Sequence, residues 1–390
     1  MPDLSAHDVS PTLSESAKIK NLSVIINGKE LRPNNIDDLE IVFGVGGKTG
    51  HITFLDVDNL NELGALIQGD IIISYTDSLG ASYKEVFAIV QSKNARNKSS
   101  GITIQLQFES YITYTLKQTY LSLGFKNKTI GEVFDEIMKK LELPVDIVEK
   151  EDSHKFEGIV IPKSISLYDW MNTKMSLMNM VLIDTKKETS IVSKDLLDFS
   201  KLDEPQERDF IQGFKGDRPF HSILEFNGDI SSRQKLNQAP PTQIEYIKDN
   251  VLSLVTEVVS LETAYASQKL NGGAGVKGAN IVNTSAFIGQ KTGSPLGINK
   301  RQGLDYDYRD AINESQDVYM IVQGTNFDRL YTKVKVSLHR TVDIKGGGKD
   351  ETFSGIFVVT RFVDKITSGI FYQKLVLQRS DFGEGDPNVK

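Results

Sequence analysis

A chain of 390 residues can hold two or three domains and, once folded, bury roughly three quarters of its extended surface. Hydrophobic residues make up 39% and charged residues 25%, the balance of an ordinary globular protein. The absence of cysteine excludes disulfides, thiolate metal ligands and cysteine nucleophiles, and a net charge of −7 argues against a protein that holds nucleic acid through clustered Lys and Arg.

The opening MPDLSAHDVSPTLSESAKIK is polar and Ser-rich. It lacks the apolar core of an export signal and reads as an arm over residues 1–20 that orders only against a partner. From 21 to 112 the text is strands and turns. LSVIINGKEL carries Asn27-Gly28, a strong hairpin signal, and LEIVFGV, HITFLDV, DIIISYTD, VFAIVQS and GITIQLQFES follow. In the last, Ile102, Ile104, Leu106 and Phe108 alternate with polar residues, so one face is dry. These short strands predict a first small barrel or sandwich. The basic stretch SKNARNK, ending at Lys98, reads as a solvated turn between its last two strands.

The texture changes over 113–200. Thr129 and Glu132 form a capping box ahead of an apolar stripe, Val133, Phe134, Ile137, Met138 and Leu141, which Pro144 ends. A second helix is expected from Ser166, burying Leu167, Trp170, Met171, Met175 and Met178; strands at 181–184 and 190–193 complete a compact α/β module. Residues 201–235 return to strand text. Within an insertion at 236–316, the stretch 242–270 suits helix or strand, Gly-rich 271–303 reads as a loop, and Tyr306–Gln316 as a short helix. A second barrel is predicted over 317–380, with a tail at 381–390. In KVKVSLHR, Val334, Val336 and Leu338 share one face and Lys333, Lys335 and Ser337 the other. The order strand, turn, long strand, turn, strand over 333–380 repeats that of 69–110, with Leu375-Val376-Leu377 matching Leu106-Gln107-Phe108.

Motifs that suggest chemistry fail on context. GVGGKTG (44–50) lacks the spacing of a phosphate loop and leads into a strand, so it reads as a hairpin turn. GAGVKG (273–278) has no βαβ unit around it and reads as loop. The histidines His7, His51, His154, His221 and His339 are scattered without metal spacing, and no G-x-S-x-G occurs. No catalytic, cofactor-binding or metal site is expected.

Taken together, GHITFLDVDNLNELGALIQGDIIISYTD (50–77), SISLYDWMNTKMSLMNMVLIDTKKETSIVS (164–193), FIQGFKGDRPFHSILEF (210–226) and the closing strands resemble the baseplate hub proteins of contractile-tailed bacteriophages. More distantly they resemble late-control tail proteins and the N-terminal regions of type VI secretion spike proteins. The resemblance rests on the order of modules. It implies a mainly β fold with α+β insertions: two similar small tail-tube-like β-barrels plus a small α/β module. It further implies a homotrimer whose six barrels form a pseudo-hexameric ring in the virion baseplate, assembled in the host cytoplasm. Such a ring would join a hexameric tail tube to a trimeric central spike, meet tape measure and wedge proteins, and pass genomic DNA without binding it specifically. Neither an enzymatic activity nor a membrane segment is implied. The connections at 91–101 and 340–354, with Lys93, Asn94, Arg96, Asp343, Lys345, Gly347 and Lys349, are expected to touch neighbouring subunits. A tail-borne cell-wall hydrolase and a carbohydrate-binding receptor module are the competing readings.

Overall fold

The computed structural model describes residues 19–57, 60, 69–76, 80–97, 101–149, 153, 155–197, 209–212, 222–228, 242–247, 254–259, 280–283, 318–323, 327–338 and 355–378, some strand residues by backbone alone. The first strands are β1 (Lys20–Ile26), β2 (Lys29–Leu31), β3 (Ile36–Val45), β4 (Thr49–Leu55), β5 (Asp70–Thr76), β6 (Ser82–Asn97) and β7 (Gly101–Ser110). The module follows as α1 (Tyr111–Gln118), β8 (Leu123–Phe125), α2 (Ile130–Lys140), β9 (Val145–Val148), β10 (Ile159–Ile161), α3 (Leu167–Leu177), β11 (Met180–Asp184) and β12 (Thr189–Ser193). Then come β13 (Asp209–Gln212), β14 (Ser222–Gly228), β15 (Thr242–Ile247), β16 (Leu254–Val259), β17 (Asn280–Asn283), β18 (Val318–Gln323), β19 (Thr332–Ser337), β20 (Gly355–Thr367) and β21 (Ile370–Gln378).

Local chemistry accounts for the elements. Asn27 and Gly28, at φ 47° and 81°, make the left-handed pair of a type I′ turn between β1 and β2; Ser368 and Gly369, at 51° and 78°, do the same between β20 and β21. Thr129 accepts from the Glu132 amide while Glu132 accepts from the Thr129 amide, so the capping box forms. Ser166 caps α3 through the Asp169 amide. Helix α1 was not visible in the residue pattern; its start is fixed by Ser110, which accepts from the Thr113 amide. The ambiguous text after 242 forms strands β15 and β16, and β17 lies in the stretch expected to be loop, parallel to β15. Residues 1–18, GAGVKG, Tyr306–Gln316 and 381–390 lie outside the described residues.

Thirteen strands run in one hydrogen-bonded path, β19-β13-β14-β18-β21-β20-β3-β4-β7-β6-β5-β1-β2. The path divides into two sets with matching order. In the first, β1-β5-β6-β7-β4-β3 are neighbours; in the second, β13-β19-β20-β21-β18-β14 are. The registers match as well. Ile71 and Ile73 of β5 take the places of Val334 and Val336 of β19, Phe87 that of Phe357, and Leu106 and Phe108 those of Leu375 and Leu377; all ten are buried. Even the irregularities recur: β6 bulges between Ile89 and Gln91 as β20 does between Val359 and Arg361, and β3 slips between Ile36 and Asp38 as β14 does between Ile223 and Glu225. Bulges bend strands at defined points, so shared positions imply shared curvature.

The two sets also differ. Strand β13 runs parallel to β14 and β19, whereas β1 is antiparallel to β5. Pairing of β19 with β20 closes the second set into a ring, while no described ladder joins β1 or β2 to β3. One apolar core runs through both sets, from Val24 and Phe54 to Val336 and Leu377. A second core, centred on Phe134, Trp170, Met171 and Met175, belongs to the module.

Candidate assembly interface

The two sets meet along β3 and β20. Strand β20 is long enough to serve both: Gly355–Val359 pair with β19, the bulge bends the chain, and Phe362–Thr367 pair with Phe43–Asp38 of β3. Pleating sends alternate side chains to opposite faces. On the inner face Phe362 stacks on Phe43 with centroids 4.5 Å apart, and Phe327 meets Phe362 edge-on at 5.8 Å. On the outer face the Lys365 ammonium lies 3.7 Å from Asp38 and 3.6 Å from Glu40, and the Thr367 hydroxyl donates to Asp38 at 2.7 Å. Burial works against the Lys365 charge, but Tyr372, Asp38 and Glu40 together raise its pKa above the ordinary lysine value.

At the centre of this seam lies a buried charge. Asp364, only 1% exposed, accepts hydrogen bonds from the Tyr75 phenol and from Gln373 Nε2, the latter at 2.7 Å. Gln373 continues inward, accepting from the Phe327 amide at 2.9 Å and donating to the Phe327 carbonyl at 3.0 Å. The cation comes from the module: Lys186, on the turn between β11 and β12, places Nζ 2.5 Å from Asp364. The same ammonium sits about 5.7 Å from the ring centres of Phe43, Tyr75 and Phe362 and 5.6 Å from that of Phe371. An ammonium over aromatic faces is attracted by their quadrupoles. One lysine thus ties module, first set and second set together.

A second clasp lies nearby. Lys48 Nζ contacts Glu85 at 2.6 Å and Asp184 at 3.1 Å, and its own amide donates to Asp184. Burial raises the pKa of Glu85 despite Lys48, and burial together with Glu85 raises Tyr83 well above its ordinary value. Lys48 belongs to GVGGKTG, the stretch that imitates a phosphate loop. It sits in the β3–β4 connection and binds carboxylates of its own chain. Strand β11 adds to β3 beside it, Ile183 opposite Val45.

The residues expected to touch neighbours divide in two. Lys93, Asn94 and Arg96 stand on β6, opposite Gln105, Ile104 and Ile102 of β7. This corrects the reading of SKNARNK as a turn: β7 offers partners out to Gly101, so β6 continues to Asn97 despite its polar residues. Asp343, Lys345, Gly347 and Lys349 lie outside the described residues. Lys333, assigned by alternation to a wetted face, is 8% exposed, whereas Lys335 is exposed as expected. Among the described residues no group of His, Asp and Glu could hold a metal ion, and no helix is long and apolar enough to cross a membrane. Two clefts, of about 150 Å³ beside Lys187 and Asp328 and about 280 Å³ beside Met175 and Asn179, are smaller than ordinary ligand pockets of ~300–1,000 Å³.

No protein-family model and no curated protein matches the sequence. Solved structures do match. A tail protein from Neisseria meningitidis superposes with a TM-score of 0.61 at 11% identity, over 92% of this chain and 96% of that one. The 43 kDa tail protein of prophage MuSo2 from Shewanella oneidensis gives 0.58 at 12% identity, over 92% and 98%. An E. coli type VI secretion component, described as structurally similar to the T4 bacteriophage tail proteins gp27 and gp5, gives 0.52 at 10% identity, over 92% and 77%. The chain has the fold of phage tail and type VI secretion proteins. The mainly β architecture with small α insertions that the sequence implies is therefore the one observed, shared along nearly the whole length of two tail proteins.

Proposed function

We propose that the chain is a structural hub of a contractile tail: three copies form a ring of six similar β units in the virion baseplate, joining a hexameric tube to a trimeric spike. The observation that carries this reading is the duplication. Five strands follow one path twice, with bulges at matching positions, so each subunit offers two near-equivalent units to its surroundings. A threefold assembly of such subunits presents six, which suits a sixfold partner on one side while keeping true threefold symmetry for the other. No catalysis is assigned to the chain itself. Assembly in the host cytoplasm, contacts with tape measure and wedge proteins, and passage of DNA belong to the same proposal; a net charge of −7 gives passing phosphates no general attraction. Light scattering tests it: a mass of three times 43.4 kDa, with co-sedimentation of purified tail tube, is expected. A strictly monomeric protein that binds neither tube nor spike would refute it.

A further inference from the structure

The charges buried where the module meets the sheet are unevenly shared. On one side Lys186 faces Asp364, one charge against one. On the other, Lys48 Nζ lies 2.6 Å from Glu85 and 3.1 Å from Asp184, so one ammonium answers two carboxylates. Asp184 is fully buried and also accepts from the Lys48 amide and, at 2.7 Å, from the Thr189 hydroxyl. Glu85 has fewer donors, with the Tyr83 hydroxyl as its other partner. Behind Tyr83 stand the Tyr75 ring, 5.1 Å away, and Asp364 with Lys186. Arg361 of β20 lies against Gly44 but is exposed to solvent, so it adds little to the balance. Two carboxylates that share a buried site oppose each other's ionisation. The better-solvated charge here belongs to Asp184, and the proton falls to Glu85.

The repulsion acts across a boundary. Asp184 ends β11 of the module, whereas Glu85 belongs to β6 of the first set. The β11–β12 hairpin is a wall between the two cores: Val181, Ile183 and Val192 face the core of the sheet, and Met180, Leu182 and Ile191 that of the module. Its backbone hold on the first set is short. Ile183 and Asp184 stand opposite Val45 and Gly44, and the Gly46 amide donates to the Leu182 carbonyl at 2.8 Å. Contacts this few open locally at less cost than the long ladders of the sheet.

We propose that this hairpin is a proton-operated latch, seated against the first set while Glu85 is protonated and loosened when Glu85 ionises. Burial pushes the Glu85 carboxyl up and Asp184 adds to this, while Lys48 and the Tyr83 hydroxyl pull the other way. A raised value means that the seated form holds the proton more tightly than the opened one. The latch is therefore firmest below the ordinary value of 4.5 and loosens as pH rises through the raised one. It works within one chain and is independent of the number of copies.

Hydrogen exchange read by mass spectrometry on the full chain tests the latch. Protection, corrected for the intrinsic pH dependence of exchange, is followed from about pH 4 to about pH 8. Peptides over 180–193 report the hairpin, and peptides over 130–140 report α2 in the module core. In the wild type the hairpin should lose protection several-fold as pH rises, while α2 holds its own. Glu85→Gln cannot ionise, so its hairpin should show no such fall. Tyr83→Phe removes a hydroxyl that favours the charged carboxylate, so its fall should come at higher pH than in the wild type. A flat wild-type profile, or a Glu85→Gln profile that follows the wild type, overturns the latch. So does a loss at α2 in step with the hairpin, which would be unfolding of the module as a whole. Should Glu85→Gln fail to fold, Tyr83→Phe decides: an unmoved profile overturns the proposal.

Discussion

Lys186 and Asp364 carry the sharpest energetic prediction. Asp364→Ala removes the acceptor of the Tyr75 and Gln373 hydrogen bonds and leaves the Lys186 ammonium, with its side chain 7% exposed, among four aromatic rings. Stripping one partner from a buried ion pair costs ~3–5 kcal/mol, because the survivor keeps its desolvation penalty without its counter-charge. Lys186→Met leaves Asp364 with the phenol and the amide, so a loss near the lower end, about 3 kcal/mol, is expected. The double variant buries no isolated charge and places a flexible thioether against the rings, so it should regain at least ~2 kcal/mol relative to the sum of the singles. Urea unfolding measures this with two probes. Trp170, the single tryptophan, is buried in the module core and reports the module, while circular dichroism reports the strands. In the wild type the two transitions should coincide. In each single variant the tryptophan transition should come at lower urea, because the module has lost its tie to the seam. Single-variant losses below ~1 kcal/mol that add in the double, with coincident transitions throughout, would refute the claim that this pair couples the parts.

The remaining predictions use the same logic. Glu85 has a raised pKa, so the folded state holds its proton more tightly than the unfolded chain; its contribution is fully present below the ordinary value of 4.5 and lost as pH rises through the raised one. Glu85→Gln should therefore gain thermal stability relative to wild type as pH rises through that window, and parallel melting curves against pH would contradict it. Gly50→Ala would put a methyl group 2.3 Å from the Glu40 carbonyl oxygen and 2.5 Å from the Phe108 ring, between two paired strands that cannot part. A loss of ~1–3 kcal/mol in chemical denaturation is expected, and a neutral result would mean that the sheet yields there. Thr129→Ala removes both the cap on the Glu132 amide and the 2.6 Å hydrogen bond to Glu149, at a cost of ~1–2 kcal/mol read from the melting temperature, with Thr129→Ser restoring most of it. Equal losses in the Ala and Ser variants would count against the cap.

What was legible in the residues is what short-range physics decides. Alternation exposed the dry faces of β7 and β19, and the Asn27-Gly28 step exposed the first turn. Side-chain caps exposed the starts of α2 and α3. The repeat of 69–110 in 333–380 could be read because each strand carries its apolar residues at the same interval from its turn. The buried clasps could not be read. Asp364 interrupts an apolar strand, Asp184 ends one, and Lys48 and Lys186 lie in turns where a solvated lysine is the ordinary expectation; their ion-pair partners are up to 178 residues away in sequence, so only the packed fold brings them together. The extent of β6 was missed for a related reason. Its polar composition suits a turn, and the strand exists because β7 supplies the matching backbone groups. Likewise the closure of the second set rests on β13, which pairs in parallel with both β14 and β19, and no local signal announces it.

The most direct test of the whole account is an end-on image of the purified assembly by electron cryo-microscopy. The account predicts three chains arranged as six similar lobes around a central axis, alternate lobes differing slightly because, among the described residues, only the second set closes on itself. Three lobes in a trimer, or a mass corresponding to one or two copies, would contradict it.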